Sequence, residues 1–196
     1  VPPSNSGQIT PLPKEMIFVI DTSGSMDGTS IAQAKSSLVR ALQRLNPTDL
    51  FNVIEFNSQS RVMFDASQMA DRTTVNDAVS WVSQLQSGGG TNMAEALVLA
   101  VDSPPSAGYL KHIVFLTDGA VGNESLLFGI IHQALGDARL FTVGIGSAPN
   151  SYFMRKSAEF GRGTFTHIGD LAEASTKMDA LYKKLDNPIA SNINIS

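Results

Sequence analysis

The sequence predicts an α/β fold: a doubly wound, Rossmann-like, mostly parallel sheet with one antiparallel edge strand and helices on both faces. Three observations predict it. Short apolar runs alternate with segments of helical periodicity along the whole chain, the pattern of strands joined by crossover helices. The runs "MIFVI" (16–20) and "HIVFLT" (112–117) lack the polar alternation of a half-exposed strand, as expected of strands covered on both faces. One early pair, "LFNVIEF" (50–56) and "RVMF" (61–64) around "NSQS", reads as a hairpin and supplies the antiparallel edge.

The elements follow in order. After the first strand, 29–46 places Ile31, Ala34, Leu38, Ala41, Leu42 and Leu45 at helical spacing, with Thr29 or Ser30 as the N-cap. The hairpin comes next, then a helix at 73–86 whose Val75, Val79, Val82 and Leu85 share one face. "SGGGTN" (87–92) breaks the chain before a helix at 93–102, and "SPPSAG" is a loop. Beyond "HIVFLT" the pattern gives a helix at 123–138, a strand at 140–146 and a helix at 150–161. An edge strand at 163–168 and an amphipathic helix at 170–186 complete the domain. Residues 1–13 read as a Pro/Ser-rich linker, 14–186 as one domain, and 187–196 as a linker or the start of a neighbouring domain. The missing initiator Met and the linker-like start indicate an excised piece of a longer protein.

Composition excludes several functions. The 196 residues are 42% hydrophobic and 16% charged, enough for one buried core. A net charge of −4 offers no basic footprint for nucleic acid or anionic lipid. With no cysteine, thiol catalysis, disulfides and zinc–thiolate sites are out. No stretch reaches the roughly 18 apolar residues of a membrane span. The start lacks the basic and apolar regions of a signal peptide.

Ligands of an open parallel sheet bind at the carboxyl ends of the strands, where the strand order reverses. Three polar loops qualify there: "DTSGSMDG" after the first strand, "LTDGA" after "HIVFLT", and "GGGTN" before a helix. They bring forward Asp21, Ser23, Ser25, Thr91 and Asp118. In an extended segment, residues two apart point the same way. Asp21, Ser23 and Ser25 can thus present one carboxylate and two hydroxyls to one point. Gly24 and Gly88 through Gly90 permit close backbone approach. Every candidate donor is an oxygen, which favours a hard cation, Mg²⁺ or Mn²⁺, over zinc or copper. An ion held mostly by neutral hydroxyls keeps much of its charge and attracts an outside carboxylate. Taken alone, D-x-S-x-S is most often a turn or a helix cap; the combination of three loops carries the information.

Other chemistries fit less well. No Gly-Lys pair supports a phosphate-binding loop of the P-loop type, and Asp21 stands where a dinucleotide fold needs glycine. An aspartate nucleophile in phosphoryl transfer, as in haloacid dehalogenase-like hydrolases, is the serious enzyme alternative. Ser23 stands where its general acid is required, and serine cannot supply that chemistry near neutral pH. "TSGSM" is not a nucleophile elbow, and His112, His132 and His167 fall in no partner motif. These histidines read as packed or surface residues, and Met26 and Met93, which flank the site, as gap-fillers. The glycosylation triplets at Asn123 and Asn194 carry little weight.

"DTSGSM", "GGTN" and "LTDG", in that order, resemble the von Willebrand factor type A domain and its metal-ion-dependent adhesion site. The resemblance covers about 14–186. "FTVGIGSAPNSYFMRKSAEFGRGTF" is similar more narrowly to inter-alpha-trypsin inhibitor heavy chains and their bacterial relatives. The resemblance implies a non-enzymatic, adhesion-type module. Ser23 and Ser25 would coordinate Mg²⁺, with Mn²⁺ or Ca²⁺ as alternatives. Thr91 would bind directly or through water, while Asp21 and Asp118 act largely through waters and hydrogen bonds. The implied partner is a protein bearing an exposed Asp or Glu, with no nucleic acid and no membrane insertion by this fragment. An extracellular or cell-surface location and neighbouring domains of a longer chain are also implied. A scaffold whose site is filled by a carboxylate of its own parent protein is the second reading.

Overall fold

The computed structural model describes residues 12–102 and 105–186. Apart from Leu12 and Pro13, the expected end segments 1–13 and 187–196 lie outside the described residues, as does the triplet at Asn194. The chain forms β1 (Lys14–Asp21), a 3₁₀ turn (Gly24–Met26), α1 (Thr29–Leu42), β2 (Leu50–Phe56), β3 (Ser60–Val62) and β4 (Gln68–Met69). There follow α2 (Arg72–Gln84), α3 (Met93–Asp102), β5 (Leu110–Thr117), α4 (Glu124–Ala134), β6 (Arg139–Ile145), α5 (Ser151–Phe160), β7 (Phe165–Ile168) and α6 (Leu171–Asp186).

The strands form one seven-stranded sheet in the order β3-β2-β1-β5-β6-β7, with β4 also on β2. The pairs β1–β2, β1–β5, β5–β6 and β6–β7 are parallel, and β2 pairs antiparallel with β3 and β4. The order reverses between β1 and β5, so the expected switch point is present. Every residue of β1 is buried because the strand is central and covered on both sides. Met16, Phe18 and Ile20 pack with α1, α2 and α6 on one face. Ile17 and Val19 pack with α3, α4 and α5 on the other.

Four boundaries differ from expectation, each for a local reason. Helix α1 is capped by neither Thr29 nor Ser30: the 3₁₀ turn delivers the chain through Gly28, whose φ is 75°. It also ends at Leu42 rather than 46. Pro47 disfavours helical geometry at Asn46, and the Asp49 carboxylate instead accepts from the Asn46 backbone N–H at 2.9 Å. Helix α4 ends at Ala134 because Gly136 follows with φ 56°, the usual left-handed stop. The antiparallel edge is built of two short pieces, β3 and the two-residue β4, rather than one strand.

At the amino-terminal edge of the sheet, Asp49 accepts from the Lys14 backbone N–H at 3.0 Å. The Lys14 ammonium pairs with Asp186 at the end of α6, 2.7 Å away. His112 packs edge-on against Phe141 with its Nδ1 buried and unpartnered. His132 lies on the Phe160 ring, and His167 Nε2 meets the Gly146 carbonyl at 2.8 Å. Met26 and Met93 are both buried.

Candidate metal site and family

The carboxyl ends of β1 and β5 lie side by side, in register from Lys14 opposite Leu110 to Ile20 opposite Leu116. This register places Asp21 beside Thr117. Asp21 is fully buried, and the Thr117 hydroxyl donates to its Oδ2 at 2.6 Å. Its Oδ1 accepts from the Ser23 backbone N–H at 2.8 Å, which turns the chain so that Ser23 and Ser25 face each other. Their hydroxyl oxygens lie 3.1 Å apart; Ser23 is buried and Ser25 exposed. Burial raises the Asp21 pKa above the ordinary carboxylate value, opposed by hydrogen bonds from Ser23 and Thr117. The charge of Asp118 raises it further, so these two carboxylates share one field.

Asp118 follows β5 and is half-buried. Its Oδ1 accepts from the Ala120 backbone N–H at 3.0 Å, and its carbonyl accepts from Asn150 at 2.9 Å. Gly119 bends between them with φ 73°, and a Cβ there would press on Asn150 at 3.1 Å.

The glycine-rich loop crosses to the first loop by backbone alone. The Gly24 N–H donates to the Gly89 carbonyl at 3.1 Å, and Gly88 donates to the Thr22 carbonyl at 2.8 Å. A Cβ on Gly24 would sit 3.2 Å from that Gly89 oxygen, and one on Gly89 would sit 2.9 Å from the Ser58 hydroxyl. The close approach expected of these glycines is present. Thr91 rides on this loop, exposed, between Gly90, which donates to Ser58 Oγ, and Asn92, which donates to the Asn57 carbonyl. The structure therefore brings the three loops together. Side-chain contact joins Asp21, Ser23 and Ser25; among the described residues Thr91 makes no side-chain hydrogen bond.

The donor set is chemically suited to a small hard cation. Oxygens about 2.1 Å from Mg²⁺ and at right angles to each other are separated by about 3.0 Å, close to the 3.1 Å between Ser23 and Ser25. Among the described residues no group of three or more His, Cys, Asp or Glu side chains is placed to hold a metal. An ion at the serines would thus meet no three-membered cluster of such side chains among the described residues.

Three supporting residues escape the sequence reading. Thr117 orients Asp21, as described. Thr22, fully buried, shares its hydroxyl proton between Glu55 Oε1 and the Phe56 carbonyl, both at 3.1 Å. Glu55 is buried and accepts from Arg61 at 2.6 and 3.0 Å through its other oxygen. For two the signal was present: Glu55 is a polar residue inside, and Thr117 one at the end of, an otherwise apolar strand run.

The sequence profile of the von Willebrand factor type A domain matches residues 14–167. The chain belongs to this family. It is 33% identical over 193 residues to mouse inter-alpha-trypsin inhibitor heavy chain 4, covering 92% of this chain and 20% of that protein. Human inter-alpha-trypsin inhibitor heavy chain H4 is 30% identical over 198 residues, covering 94% of this chain and 21% of its own length. The chain thus spans about a fifth of the length of these relatives. Among solved structures, a von Willebrand factor type A protein from Catenulispora acidiphila superposes with a TM-score of 0.77 at 28% identity. That match covers 87% of this chain and 42% of the other. The manganese-loaded TRAP protein of Plasmodium vivax shares the fold, with a TM-score of 0.70 at 18% identity over 86% of this chain and 73% of its own.

Proposed function

We propose that this von Willebrand factor type A domain is a non-enzymatic, divalent-metal-dependent protein-binding module of the extracellular space or cell surface. Ser23 and Ser25 hold Mg²⁺ or Mn²⁺ through their hydroxyls, Thr91 supplies a further oxygen, and Asp21 and Asp118 orient this shell and balance part of its charge. A partner's Asp or Glu carboxylate completes the coordination. The observation that carries the reading is the 3.1 Å pairing of the Ser23 and Ser25 hydroxyls over a buried Asp21, at the reversal of strand order. Neutral hydroxyls leave the cation under-neutralised, and such an ion favours an external anion. The manganese named for the TRAP neighbour supports divalent-metal use on this fold. The heavy-chain relatives support a domain set within a longer protein.

The test is Mn²⁺ titration followed by calorimetry or electron paramagnetic resonance, in the native domain and in Ser23→Ala. Saturable binding to one site, lost in Ser23→Ala with the melting temperature of the metal-free protein unchanged, is the expected result. Equal binding by both proteins overturns the assignment. Partner capture from extracellular fluid should then require Mg²⁺ and disappear with chelator.

A further inference from the structure

Thr91 sits on a segment with little of its own to hold it. Gly88, Gly89 and Gly90 precede it without side chains, its own hydroxyl bonds to nothing among the described residues, and α3 begins only at Met93. Glycine is the least restrained of residues, so contacts from other segments must decide where the Thr91 hydroxyl points.

Among the described residues, four hydrogen bonds tie Gly88–Asn92 to other segments. Two run to the first metal loop: the Gly88 N–H donates to the Thr22 carbonyl, and the Gly89 carbonyl accepts from Gly24. The other two bracket Thr91 and run to the turn between β2 and β3. The Gly90 N–H donates to Ser58 Oγ at 2.7 Å, and the Asn92 N–H donates to the Asn57 carbonyl at 2.6 Å. Three of the four join backbone to backbone. Ser58 is the one side chain in the set, and it holds the residue directly before Thr91.

The turn that carries Ser58 is itself fixed to β1. Phe56 lies opposite Asp21 in the parallel pair and opposite Ser60 in the antiparallel one, so residues 57–59 turn at the same sheet edge as the metal loop. The Thr22 N–H donates to the Phe56 carbonyl at 2.8 Å, and the Asn57 N–H closes the turn on the Gln59 carbonyl at 2.9 Å. Asn57 Nδ2 also reaches the Thr22 hydroxyl at 3.3 Å. Thr22 stands between Asp21 and Ser23 in the chain, so one run of bonds leads from the first metal loop through the turn to Gly90. Ser58 and Gly90 are both exposed. Water can therefore replace a lost bond there, and the fold as a whole has little at stake.

We infer that Ser58 is a positioning residue of the metal site: by accepting the Gly90 N–H it sets the Thr91 hydroxyl beside those of Ser23 and Ser25. The inference rests on the metal binding proposed above and adds a support to it. Ser58 acts through Thr91 and is not itself a ligand.

The experiment is Mn²⁺ titration of the native domain, Ser58→Ala, Thr91→Ala and the double variant, with melting of each metal-free protein and amide exchange at Gly90. Ser58→Ala is expected to bind Mn²⁺ about tenfold more weakly, the usual cost of losing a supporting partner. Its metal-free melting temperature should equal that of the native domain, while Gly90 exchanges faster. Because Ser58 acts through Thr91, the double variant should bind no more weakly than Thr91→Ala alone. Native affinity in Ser58→Ala overturns the assignment. So does a double variant in which the two losses multiply, or a metal-free Ser58→Ala that melts lower, since the bond would then serve another part of the site or the fold at large. Unaltered affinity in Thr91→Ala, or no Mn²⁺ bound by the native domain, overturns the proposed shell of ligands itself.

Discussion

Two buried side chains answer differently to being removed from water. Asp21 is held by donors on both oxygens, so its neighbours decide how well it serves a cation. Replacing Thr117 by Val removes the 2.6 Å donor while keeping the shape of the side chain. About tenfold weaker Mn²⁺ binding is expected, as for other supporting partners of metal sites, and titration of the variant checks it. His112 has no such support on Nδ1. Burial, followed by the nearby positive charges of Arg139 and Lys14, lowers its pKa from 6.5 to about 4, against a smaller opposing pull from Asp186. The unfolded chain takes up its proton first as pH falls, so the folded state loses stability between pH 6.5 and about 4. The loss amounts to about 3 kcal/mol by the lower limit. His112→Phe is expected to flatten that slope in urea titrations across the same pH range. A profile unchanged in the variant would assign the slope to other groups.

At the scale of elements, sequence periodicity identified every α-helix and all but one strand among the described residues, because burial imposes periods that a chain cannot hide. What it missed was set by three-dimensional partners. β4 is two residues long and exists only because β2 offers an unpaired edge. Helix α1 does begin at Thr29, but its cap is Gly28, delivered there by the 3₁₀ turn, and not Thr29 or Ser30 with their good capping chemistry. Glu55 and Thr117 look like blemishes in apolar runs until β1 is laid beside β2 and β5. The five candidate ligands were legible because their loops are marked by Asp, Ser and Gly at fixed positions; their supports were not. Two substitutions probe element packing. The Tyr182 hydroxyl in α6 donates to the Ala41 carbonyl of α1 at 2.7 Å in full burial, so Tyr182→Phe is expected to cost about 1 kcal/mol by urea denaturation. Gly163, after α5, faces the Leu140 carbonyl so closely that a methyl group cannot fit. Gly163→Ala should therefore destabilise by about 3 kcal/mol or more.

For the whole molecule, the sheet's reversal between β1 and β5 converts local loops into a single outward edge, and metal binding there should stabilise the entire fold. At a concentration one hundred times its dissociation constant, a ligand specific for the folded state adds about 2.7 kcal/mol. In a domain of this size that is a rise of roughly 5–10 °C in melting temperature. Calorimetric scans with and without Mg²⁺ should show this rise in the native domain and none in Ser23→Ala. A shift of equal size in both would place the ion elsewhere.

The ion pair between Lys14 and Asp186 has a consequence for construction. The first strand's beginning and the last helix's end meet at the edge of the sheet remote from Ser23 and Ser25. A polypeptide entering at one and leaving at the other advances no further than a lysine and an aspartate side chain reach between them. Ends that close would let such a domain be inserted into a surface loop of a host with little spreading of that loop. Carried on such a single stalk, it would turn its hydroxyl-lined rim outward.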